Sequence, residues 1–543
     1  MLRMSNIKLK PGQPVSMLAE KAARQLREKD PGIKNLKIVK ESIDARGRGG
    51  IQFIYTVDFE AADEKRLLEK AKRKKINLKE APDRSYEAVI SGFEGRSDYN
   101  GERPVIIGFG PCGMFAALIL AEAGLKPIVL EQGRPVEQRS RDVERFWETG
   151  ELDEMSNVQF GEGGAGTFSD GKLTTGIKDK RIGKVNDEFI EAGASETIAY
   201  KHMPHIGTDV LKVVVKNIRE KVMRLGGEVR FGSEVTGLER ENGAVKSVKL
   251  ADGSVLETSH LVLAIGNSSR KTFEAIYRDG IEIEAKPFSV GVRIEHPQSL
   301  INYSQYGEAN DSEGRLSAAV YKLSYHCKDD GRGVYTFCMC PGGTVVGAAS
   351  EKECEVTNGM SVFARDGENA NSALLVSVSP EDCQRETGDH SPLAGMIFQR
   401  ALERSAYEAG GGGYRAPAET VGEFLGRGPA EPAVKATYRP GVRHTDLREC
   451  LPAFVTEAME EALPEMARRL KGFDLDGALM TAVETRSSSP IRILRGKDMQ
   501  SVSLSGLYPG GEGAGYAGGI MSSAVDGIKI AERIIADLAA EEK

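Results

Sequence analysis

The densest chemical signal in the sequence is the hexapeptide GFGPCG, which begins at Gly108 between an apolar strand and an apolar helix. In a turn of this spacing, Gly108 permits the tight bend, Gly110 lets the backbone approach a pyrophosphate, and Gly113 allows close packing of helix on strand. Pro111 and Cys112 lie between these glycines and are assigned to the same binding loop. Because the following helix would turn its unpaired N–H groups towards the phosphates, the pattern predicts a dinucleotide-binding turn.

An acidic residue, Glu131, follows Gly113 by eighteen positions and lies at the predicted end of the next strand. A carboxylate at that position can bind both hydroxyls of a ribose, and it disfavours a 2′-phosphate. The expected nucleotide is therefore FAD or NAD and not NADP. Gln132 and Gly133 come next, and no role is assigned to either from the sequence.

Two further glycine-rich stretches favour FAD. The first is GEGGAGTFSDG at residues 161–171, a loop suited to gripping a long cofactor through its backbone. The second is GLYPGGEGAGYAGG at residues 506–519, and the apolar spacing after it predicts a helix that begins near Gly518. The N-terminus of that helix would stabilise the negative N1/O2 edge of a reduced flavin. The polar residues in and beside the stretch 161–171 are Thr167, Ser169, Asp170 and Lys172.

Arginines supply the strongest indication of a substrate site. Arg486 and Arg492 lie in ETRSSSPIRILR, just upstream of the last glycine-rich stretch. Guanidinium forks bind carboxylates bidentately, so these two arginines are candidate catalytic residues that would hold an anionic substrate over the flavin ring. Surface ion pairs are the alternative explanation for each. Other charged residues in similar strand-like segments are Arg293, Glu295, His296, Glu484 and Arg495.

Two cysteines and two histidines are spaced closely enough to suggest chemistry. Cys338 and Cys340 could form a redox dithiol that exchanges electrons with flavin. Cysteines separated by one residue form strained disulfides, so two structural thiols are the favoured interpretation. His202 and His205 have a spacing that can bind metal, but no cysteine or carboxylate cluster completes a site, and no metal is expected.

The elements that must position these residues begin with a βαβ unit, since strand, glycine turn and helix alternate from residue 105 to 131. Short strands between residues 226 and 266 predict a β-meander inserted before the sheet resumes. The predicted fold class is α/β, a two-dinucleotide-binding-fold flavoprotein with a discontinuous, Rossmann-like FAD domain. The expected domains are an N-terminal α+β module at 1–95, the FAD domain at 100–285 and 481–543, and an inserted α+β substrate cap at 286–480.

Within the N-terminal module, KIVKESIDAR and IQFIYTVDFE are predicted strands that follow a helix and are joined by the turn-like GRGG. The stretch SGFEGRSDYNGERP, which is rich in glycine, serine and charge, is interpreted as the linker that leaves the module.

The composition argues against several classes of partner. With a formal net charge of −7 over 543 residues, the chain has no global attraction for nucleic acid or anionic lipid. A basic run at residues 72–75 is mixed with acidic neighbours and is interpreted as a solvated helix face. Because no signal peptide and no apolar run of roughly 20 residues occurs, a cytoplasmic protein without a membrane partner is expected. The seven scattered cysteines are expected to be reduced thiols.

The chain resembles the bacterial family described as uncharacterised FAD-dependent dehydrogenases or NAD(P)/FAD-dependent oxidoreductases, over nearly its whole length. The segments that carry the resemblance are IIGFGPCG, FGEGGAGTFSDGKL, PHIGTDVL, GVRIEHPQSLI, YTFCMCPGGTVV, TNGMS, ETRSSSPIRI and GLYPGGEGAGYAGGIMSSAVDGI. The resemblance implies FAD and redox chemistry, with no established substrate. It also places Glu512 where such flavoproteins usually carry an aspartate on the ribityl chain, and residues 264–266 at the strand-to-turn return towards the cofactor.

The expected function is FAD-dependent oxidoreduction, in which hydride passes between flavin N5 and a small, anionic molecule. One dinucleotide fingerprint is present and FAD would use it, so NADH or NADPH, if used at all, is expected to bind transiently in the cap cleft. Two alternatives stay open. One is an RNA-modifying or RNA-binding flavoprotein that docks through the N-terminal module, and the other is a non-catalytic flavin-binding sensor. The oligomeric state is not assigned.

Overall fold

The computed structural model describes residues 1–45, 50–83, 86–87, 101–307 and 316–541 of the chain. Most of the predicted linker, SGFEGRSDYN, lies outside these residues, as do the first three residues of the predicted GRGG turn. Among the described helices, none is long and apolar enough to span a bilayer.

The N-terminal module is an antiparallel sheet covered by two helices. Its elements are β1 Leu2–Leu9, α1 Met17–Leu26, β2 Lys34–Asp44, β3 Gln52–Glu60, α2 Glu64–Lys74 and β4 Leu78–Glu80. The strand order β2-β3-β1-β4 is the split βαβ arrangement, in which each helix crosses over one intervening strand. The module buries a core of its own, which includes Val57, Phe59 and Leu67. Among its contacts with the rest of the chain, the Glu41 N–H donates to the Tyr200 carbonyl at 2.7 Å and the His202 N–H donates to the Glu41 carbonyl at 2.9 Å.

Deleting residues 1–83 is expected to leave a folded, flavin-loaded protein, because the core of the module is separate and its backbone contacts to Tyr200 and His202 are few. This deletion spares Tyr86, whose hydroxyl donates to Glu532 at 2.9 Å. A deletion of residues 1–95 is the matched comparison, since it also removes that bond and should be slightly less stable. Thermal unfolding and the FAD:protein absorbance ratio check the result, and an insoluble or colourless 1–83 deletion would contradict it.

The first part of the FAD domain runs from β5 to α7. Its elements are β5 Val105–Ile107, α3 Pro111–Glu122, β6 Ile128–Glu131, α4 Val136–Thr149, α5 Arg181–Glu191, α6 Thr208–Arg224, β7 Glu228–Phe231, β8 Val235–Glu241, β9 Ala244–Leu250, β10 Val255–Glu257, β11 Leu261–Leu263 and α7 Arg270–Arg278. Strands β8, β9 and β10 form an antiparallel meander, as predicted. Two short 3-10 helices, Ala165–Phe168 and Glu196–Ala199, lie between α4 and α6.

The cap is built on a seven-stranded mixed sheet. Its elements are β12 Ile283–Ala285, β13 Phe288–Pro297, α8 Gln298–Tyr306, β14 Ser324–His326, β15 Gly333–Cys340, β16 Thr344–Gly347, β17 Thr357–Met360, β18 Asn369–Val378, α9 Pro380–Thr387, α10 Ala394–Ala409, β19 Ala416–Thr420, α11 Val421–Phe424, β20 Val442–His444, α12 Ala453–Ala467, β21 Leu479–Glu484 and β22 Ile491–Ile493. The sheet order is β14-β15-β18-β13-β21-β19-β20. The predicted boundary at residue 480 cuts β21, because that strand pairs with β13 and β19 of the cap and runs to Glu484.

The last segment, β23 Leu507–Pro509 and α13 Ile520–Glu541, returns to the FAD domain. Strand β23 completes a parallel five-stranded sheet in the order β23-β11-β5-β6-β7. Helix α3 is buried from Cys112 to Ala121, since it lies between this sheet and α13, and its sequence is accordingly apolar on all sides. The α/β class and the discontinuous Rossmann-like domain are therefore confirmed.

Candidate cofactor site and the cavity beside it

A cavity of about 330 Å³ lies where the carboxyl ends of the parallel strands face the cap. Residues that follow β5, β6, β11 and β23 line one side, and residues from β15, β17 and the end of β21 line the other. In open α/β sheets, ligands bind outside the carboxyl ends of the strands, so this cavity is the candidate site. All three glycine-rich stretches of the sequence contribute to its wall.

The first glycine turn has the geometry that its sequence predicts. Gly108 has a φ of 95°, and a Cβ built there would lie 2.5 Å from the Ala264 carbonyl oxygen. A Cβ on Gly113 would lie 2.0 Å from the Gly108 carbonyl oxygen. The first intrahelical bond of α3 runs from the Met114 N–H to the Gly110 carbonyl, so the N–H groups ahead of Met114 have no partner within the helix. These groups are at the position where a pyrophosphate would bind.

The second glycine-rich loop packs directly on the first. The Gly163 N–H donates to the Phe109 carbonyl at 2.9 Å, and a Cβ on Gly164 would lie 3.1 Å from Gly110 Cα. The loop is held from beneath by Arg139, a fully buried residue of α4 that the sequence interpretation missed. Its guanidinium donates to the carbonyls of Asn157, Val158, Glu162 and Gly164 at 2.6–3.0 Å. No motif in the sequence marks this role, because every acceptor is a backbone carbonyl.

Glu131 connects the two loops at the end of β6. Its carboxylate accepts backbone N–H bonds from Phe109 at 2.8 Å, Gly133 at 2.9 Å and Gly161 at 3.0 Å. An ionised carboxylate offers about four lone-pair sites, so about one remains for a ribose hydroxyl. Gly133 therefore takes part in this connection, and Gln132 lines the cavity next to it. Glu131 was predicted to bind both ribose hydroxyls. Because three backbone N–H groups already occupy its carboxylate, it has an acceptor site left for about one of them.

The third glycine-rich stretch packs on the first turn through Cys112. A Cβ on Gly511 would lie 2.8 Å from Cys112 Cβ, so the two loops are in van der Waals contact. Burial raises the pKa of the Cys112 thiol well above its usual value. Asp526 of α13 holds the loop by accepting the Gly511 N–H at 2.8 Å and the Arg495 guanidinium at 2.7 and 2.9 Å. Arg495 therefore helps to hold the loop in place, and its positive charge is paired with Asp526.

Glu512 lies at the tip of this loop and lines the cavity. Asn267 Nδ2 donates to Glu512 Oε1 at 3.0 Å, and the backbone N–H of Gly519, just before α13, also donates to the carboxyl group. Burial raises the pKa of Glu512 to about 7. Helix α13 begins at Ile520, close to the predicted start at Gly518, and its N-terminal residues line the cavity beside Glu512.

The two candidate catalytic arginines are both paired with carboxylates. Arg486 lines the cavity, but its Nε and Nη2 donate to Glu403 at 3.0 and 2.8 Å, and its side chain is 4% exposed. Arg492 does not line the cavity, and its Nη1 donates to Glu284 at 3.1 Å on the surface. The predicted anion-binding fork is therefore not formed by either residue. Glu403 and Glu284 are each far in sequence from the arginine that they pair with, which is why the pattern did not reveal them.

Arg293 and Glu484 form a second buried ion pair at the cap side of the cavity. Arg293 is fully buried, and its Nη2 donates to Glu484 Oε1 at 2.9 Å and to Asn358 Oδ1 at 3.0 Å. Glu484 and Asn358 line the cavity. Burial raises the pKa of Glu484, and Arg293 opposes that rise.

Glu295 and His296, which share β13 with Arg293, do not line the cavity. Glu295 accepts from Asn369 Nδ2 at 2.9 Å and from Thr437 Oγ1 at 2.6 Å. The His296 Nε2 bonds the Phe473 carbonyl at 2.8 Å, and burial lowers the pKa of His296 to about 4. Both residues hold cap elements together.

The polar residues in and beside the second glycine-rich loop form either ion pairs or hydrogen bonds to backbone carbonyls. Asp170 is buried and accepts from Arg365 Nε at 2.9 Å and Nη2 at 2.5 Å. Lys172 lines the cavity, and its Nζ donates to the Met339 carbonyl and lies 3.7 Å from Asp170. Ser169 donates to the Gly166 carbonyl at 2.7 Å, and the Thr167 carbonyl accepts from Thr208 Oγ1 at 2.8 Å.

The two histidines of HMPHIGTD do not converge on a ligand set. His205 Nε2 bonds the Phe363 carbonyl at 2.9 Å, and the two rings stack at 5.4 Å. Within the part of the chain that the structure describes, no group of three or more His, Cys, Asp or Glu could hold a metal ion.

The lining groups fit an FAD. The N-termini of α3 and α13 open on the same cavity and suit the pyrophosphate and the flavin N1/O2 edge respectively. All three glycine-rich loops contribute glycine backbone to the lining, at Gly110, Gly164 and Gly511 among others, and Glu131 supplies an acceptor for the ribose. An FMN would leave the α3 end and Glu131 unused.

Comparisons with known proteins agree with this site. Residues 287–487 match a family model described as FAD-dependent protein, C-terminal domain-like, and residues 1–60 match a domain of unknown function, DUF8436. An uncharacterised protein of Clostridium beijerinckii is 48% identical over 536 residues, which cover 98% of each chain.

Solved structures resemble this chain more distantly. One is a glycerol-3-phosphate dehydrogenase of Bacillus halodurans complexed with FAD, at 12% identity and a TM-score of 0.33, over 82% of this chain and 66% of that one. Another is a triple mutant of the flavin-dependent brominase Bmp2, at 13% identity and a TM-score of 0.36, over 82% of each chain. Likenesses this weak carry no argument, and the fold assignment rests on the sheet order described above.

Proposed function

We propose that this chain, which belongs to the family of FAD-dependent proteins that includes its Clostridium beijerinckii relative, is an FAD-dependent oxidoreductase acting on a small molecule. When bound, FAD supplies hydride chemistry at flavin N5, and the protein supplies orientation, electrostatics and exclusion of water. The observation that carries the proposal is one continuous cavity that extends from the dinucleotide turn to the titratable residues of the cap.

The residues that would hold FAD follow from the lining. Glu131 would accept from the ribose, and the first N–H groups of α3 would bind the pyrophosphate. Glu512, steadied by Asn267, would meet the ribityl chain or the ring edge. Because the pKa of Glu512 is about 7, its carboxyl group can hold a proton beside the cofactor near neutral pH.

The substrate would bind between the cofactor and the cap, where Glu484, Asn358 and Cys338 line the wall. The anionic character expected from the sequence loses its basis, since Glu403 neutralises Arg486 and Arg492 lies outside the cavity. A nicotinamide donor would have to share this region, because the dinucleotide turn is committed to FAD.

The test begins with the purified, reconstituted protein. Denaturation is expected to release about one FAD per chain and no FMN, as measured by chromatography of the supernatant. Under anaerobic conditions, NADH or NADPH should bleach the bound flavin faster than free FAD, and an Arg492→Met variant should match the wild type because Arg492 does not line the cavity. Release of FMN, or a bound flavin that no nicotinamide or other small-molecule donor reduces faster than free FAD, would contradict the proposal.

A further inference from the structure

Strand β15 is irregular where it reaches the cavity. Phe337 pairs with Ala373 of β18, but Cys340 pairs with Asn371, so the strand carries one extra residue at this point. The bulge coincides with a φ of 44° at Cys338, a left-handed conformation that residues other than glycine rarely adopt. Such conformations persist only where the surroundings impose them, and they cluster at functional sites.

Two cations impose this conformation through the backbone. Arg293 Nη1 donates to the Cys338 carbonyl at 3.0 Å, and Lys172 Nζ donates to the Met339 carbonyl. Arg293 is itself fixed by Glu484, while Lys172 comes from the second glycine-rich loop. The bulge is thus held jointly by the cap and by the wall of the cofactor cavity.

At the bulge the Cys340 side chain lies against the backbone of Cys338. The Cys340 thiol donates to the Cys338 carbonyl at 3.2 Å, which places the Cys340 sulfur against the backbone of Cys338. Cys338 lines the cavity and is partly exposed, whereas Cys340 lies fully buried behind it. Cys338 therefore borders the ligand space, and the buried Cys340 thiol is bonded to the backbone of the same residue.

The charges around the pair distinguish the two thiols. The Cys340 thiol, together with the positive charges of Lys172 and Arg293, lowers the pKa of Cys338, while burial and Asp170 oppose the shift. The hydrogen bond to Cys338 and burial raise the pKa of Cys340. Cys338 lines the cavity whereas Cys340 is fully buried, so Cys338 is the sulfur suited to attack a disulfide as a thiolate.

We propose that Cys338 and Cys340 form a redox-active dithiol that exchanges two electrons with the flavin in the cavity and reacts with small thiols or disulfides at Cys338. This inference rests on the proposed function. In the oxidising direction, both S–H bonds break and one S–S bond forms. Two electrons and one proton pass to the oxidised flavin, and the second proton leaves to solvent.

Exchange with a small disulfide follows the ordinary chemistry of thiols. The Cys338 thiolate attacks one sulfur of the substrate, forms a mixed disulfide and expels the first thiolate. Cys340 then attacks the Cys338 sulfur, releases the second thiolate and closes the intramolecular disulfide. The reduced flavin returns the pair to two thiols, and the flavin in turn needs a hydride donor of the nicotinamide class.

The test counts electrons in the FAD-loaded protein. After preincubation with an excess of ferricyanide and gel filtration, anaerobic dithionite titration of the wild type should consume about four electrons per chain, two for the flavin and two for the disulfide. Cys338→Ser and Cys340→Ser variants should each consume about two. The matched control, Cys383→Ser, removes a buried thiol of α9 that does not line the cavity, and it should still consume about four.

Peptide mass spectrometry of the wild type gives a second readout that needs no variant to fold. After alkylation of free thiols with N-ethylmaleimide, the oxidised protein should yield a peptide with an internal Cys338–Cys340 disulfide, and the reduced protein the same peptide with two adducts. A wild type that consumes two electrons and carries two adducts after oxidation would overturn the dithiol while leaving the flavin chemistry intact. Failure of the flavin itself to bind, or to be reduced by any small-molecule donor, would instead overturn the proposed function.

Discussion

Replacing Glu403 with alanine is expected to lower the free energy of unfolding by about 3–5 kcal/mol, the usual cost of stripping the partner from a buried charge. Glu403 is fully buried and accepts from Arg270 at 2.7 and 2.8 Å and from Arg486 at 2.8 and 3.0 Å. Its loss would leave two buried guanidinium groups and the Thr485 hydroxyl without this acceptor. Urea unfolding of the variant, followed by fluorescence, measures the change.

Two comparisons separate the effect of the unpaired charges on stability from the effect of the cavity that Glu403→Ala creates. Glu284→Gln removes the partner of Arg492 on the surface, where such pairs contribute about 1 kcal/mol or less, so it should change stability little. Combining Glu403→Leu with Arg270→Met and Arg486→Met removes all three charges and should recover most of the loss. If the triple variant is no more stable than Glu403→Ala, packing and not unpaired charge explains the effect.

The same ion cluster predicts a pH dependence. Burial alone would raise the pKa of Glu403, but Arg270 and Arg486 hold it well below its usual value of 4.5. A carboxyl group whose pKa is lower in the folded state stabilises the protein above the unfolded pKa, and this contribution is lost as the pH falls towards the folded value. The stability gap between wild type and Glu403→Ala should therefore narrow below about pH 4.5.

The sequence was sufficient for the parts of the fold that depend on local patterns. The bend at Gly108, the packing at Gly113 and the start of α3 follow from backbone sterics within a few residues. The β8–β10 meander and the helix after Gly518 were likewise predicted from the spacing of apolar residues and from turn residues. FAD itself was predicted because three glycine-rich stretches had to surround one ligand, and the family match agrees.

The sequence did not reveal ion pairs whose two residues lie far apart along the chain. Arg486 lies 83 positions from Glu403, and Arg293 lies 191 positions from Glu484. An arginine that awaits an anionic substrate and one that is already paired look the same in a single sequence, because the difference lies in the partner across the fold. Arg486 was therefore predicted as a ligand-binding residue when the fold makes it the end of an ion cluster.

The bulge in β15 illustrates a different limit. YTFCMC has the composition of a regular strand, and the left-handed conformation of Cys338 is imposed by Arg293 and Lys172 from outside the strand. A backbone irregularity that other elements impose has no signature in the strand that carries it. The preference for two structural thiols rested on the strain of a disulfide between cysteines one residue apart, and it stays a prediction that the electron count can decide.

Replacing Glu131 with alanine is expected both to weaken FAD binding and to destabilise the protein without FAD. The first effect comes from the lost ribose contact, since one charge-assisted hydrogen bond contributes roughly 1.5–3 kcal/mol, or about a tenfold to hundredfold change in affinity. The second comes from the N–H groups of Phe109, Gly133 and Gly161, which would lose their acceptor. From the sequence alone, the fold would be expected to stay intact, because these three bonds were invisible there.

The two effects can be separated by measuring them in different states. Urea unfolding of the FAD-free protein should show a loss of about 2–4 kcal/mol for Glu131→Ala, since up to three N–H groups must find water in the cavity instead. FAD titration under native conditions then gives the affinity of the remaining folded protein. Glu228→Gln on the neighbouring strand β7 is the control, because Glu228 pairs with Arg103 and Arg230 at the surface and should leave both quantities unchanged. An unaltered FAD-free protein would show that the carboxylate is not needed to join the two glycine loops, and unaltered FAD affinity would place the ribose elsewhere.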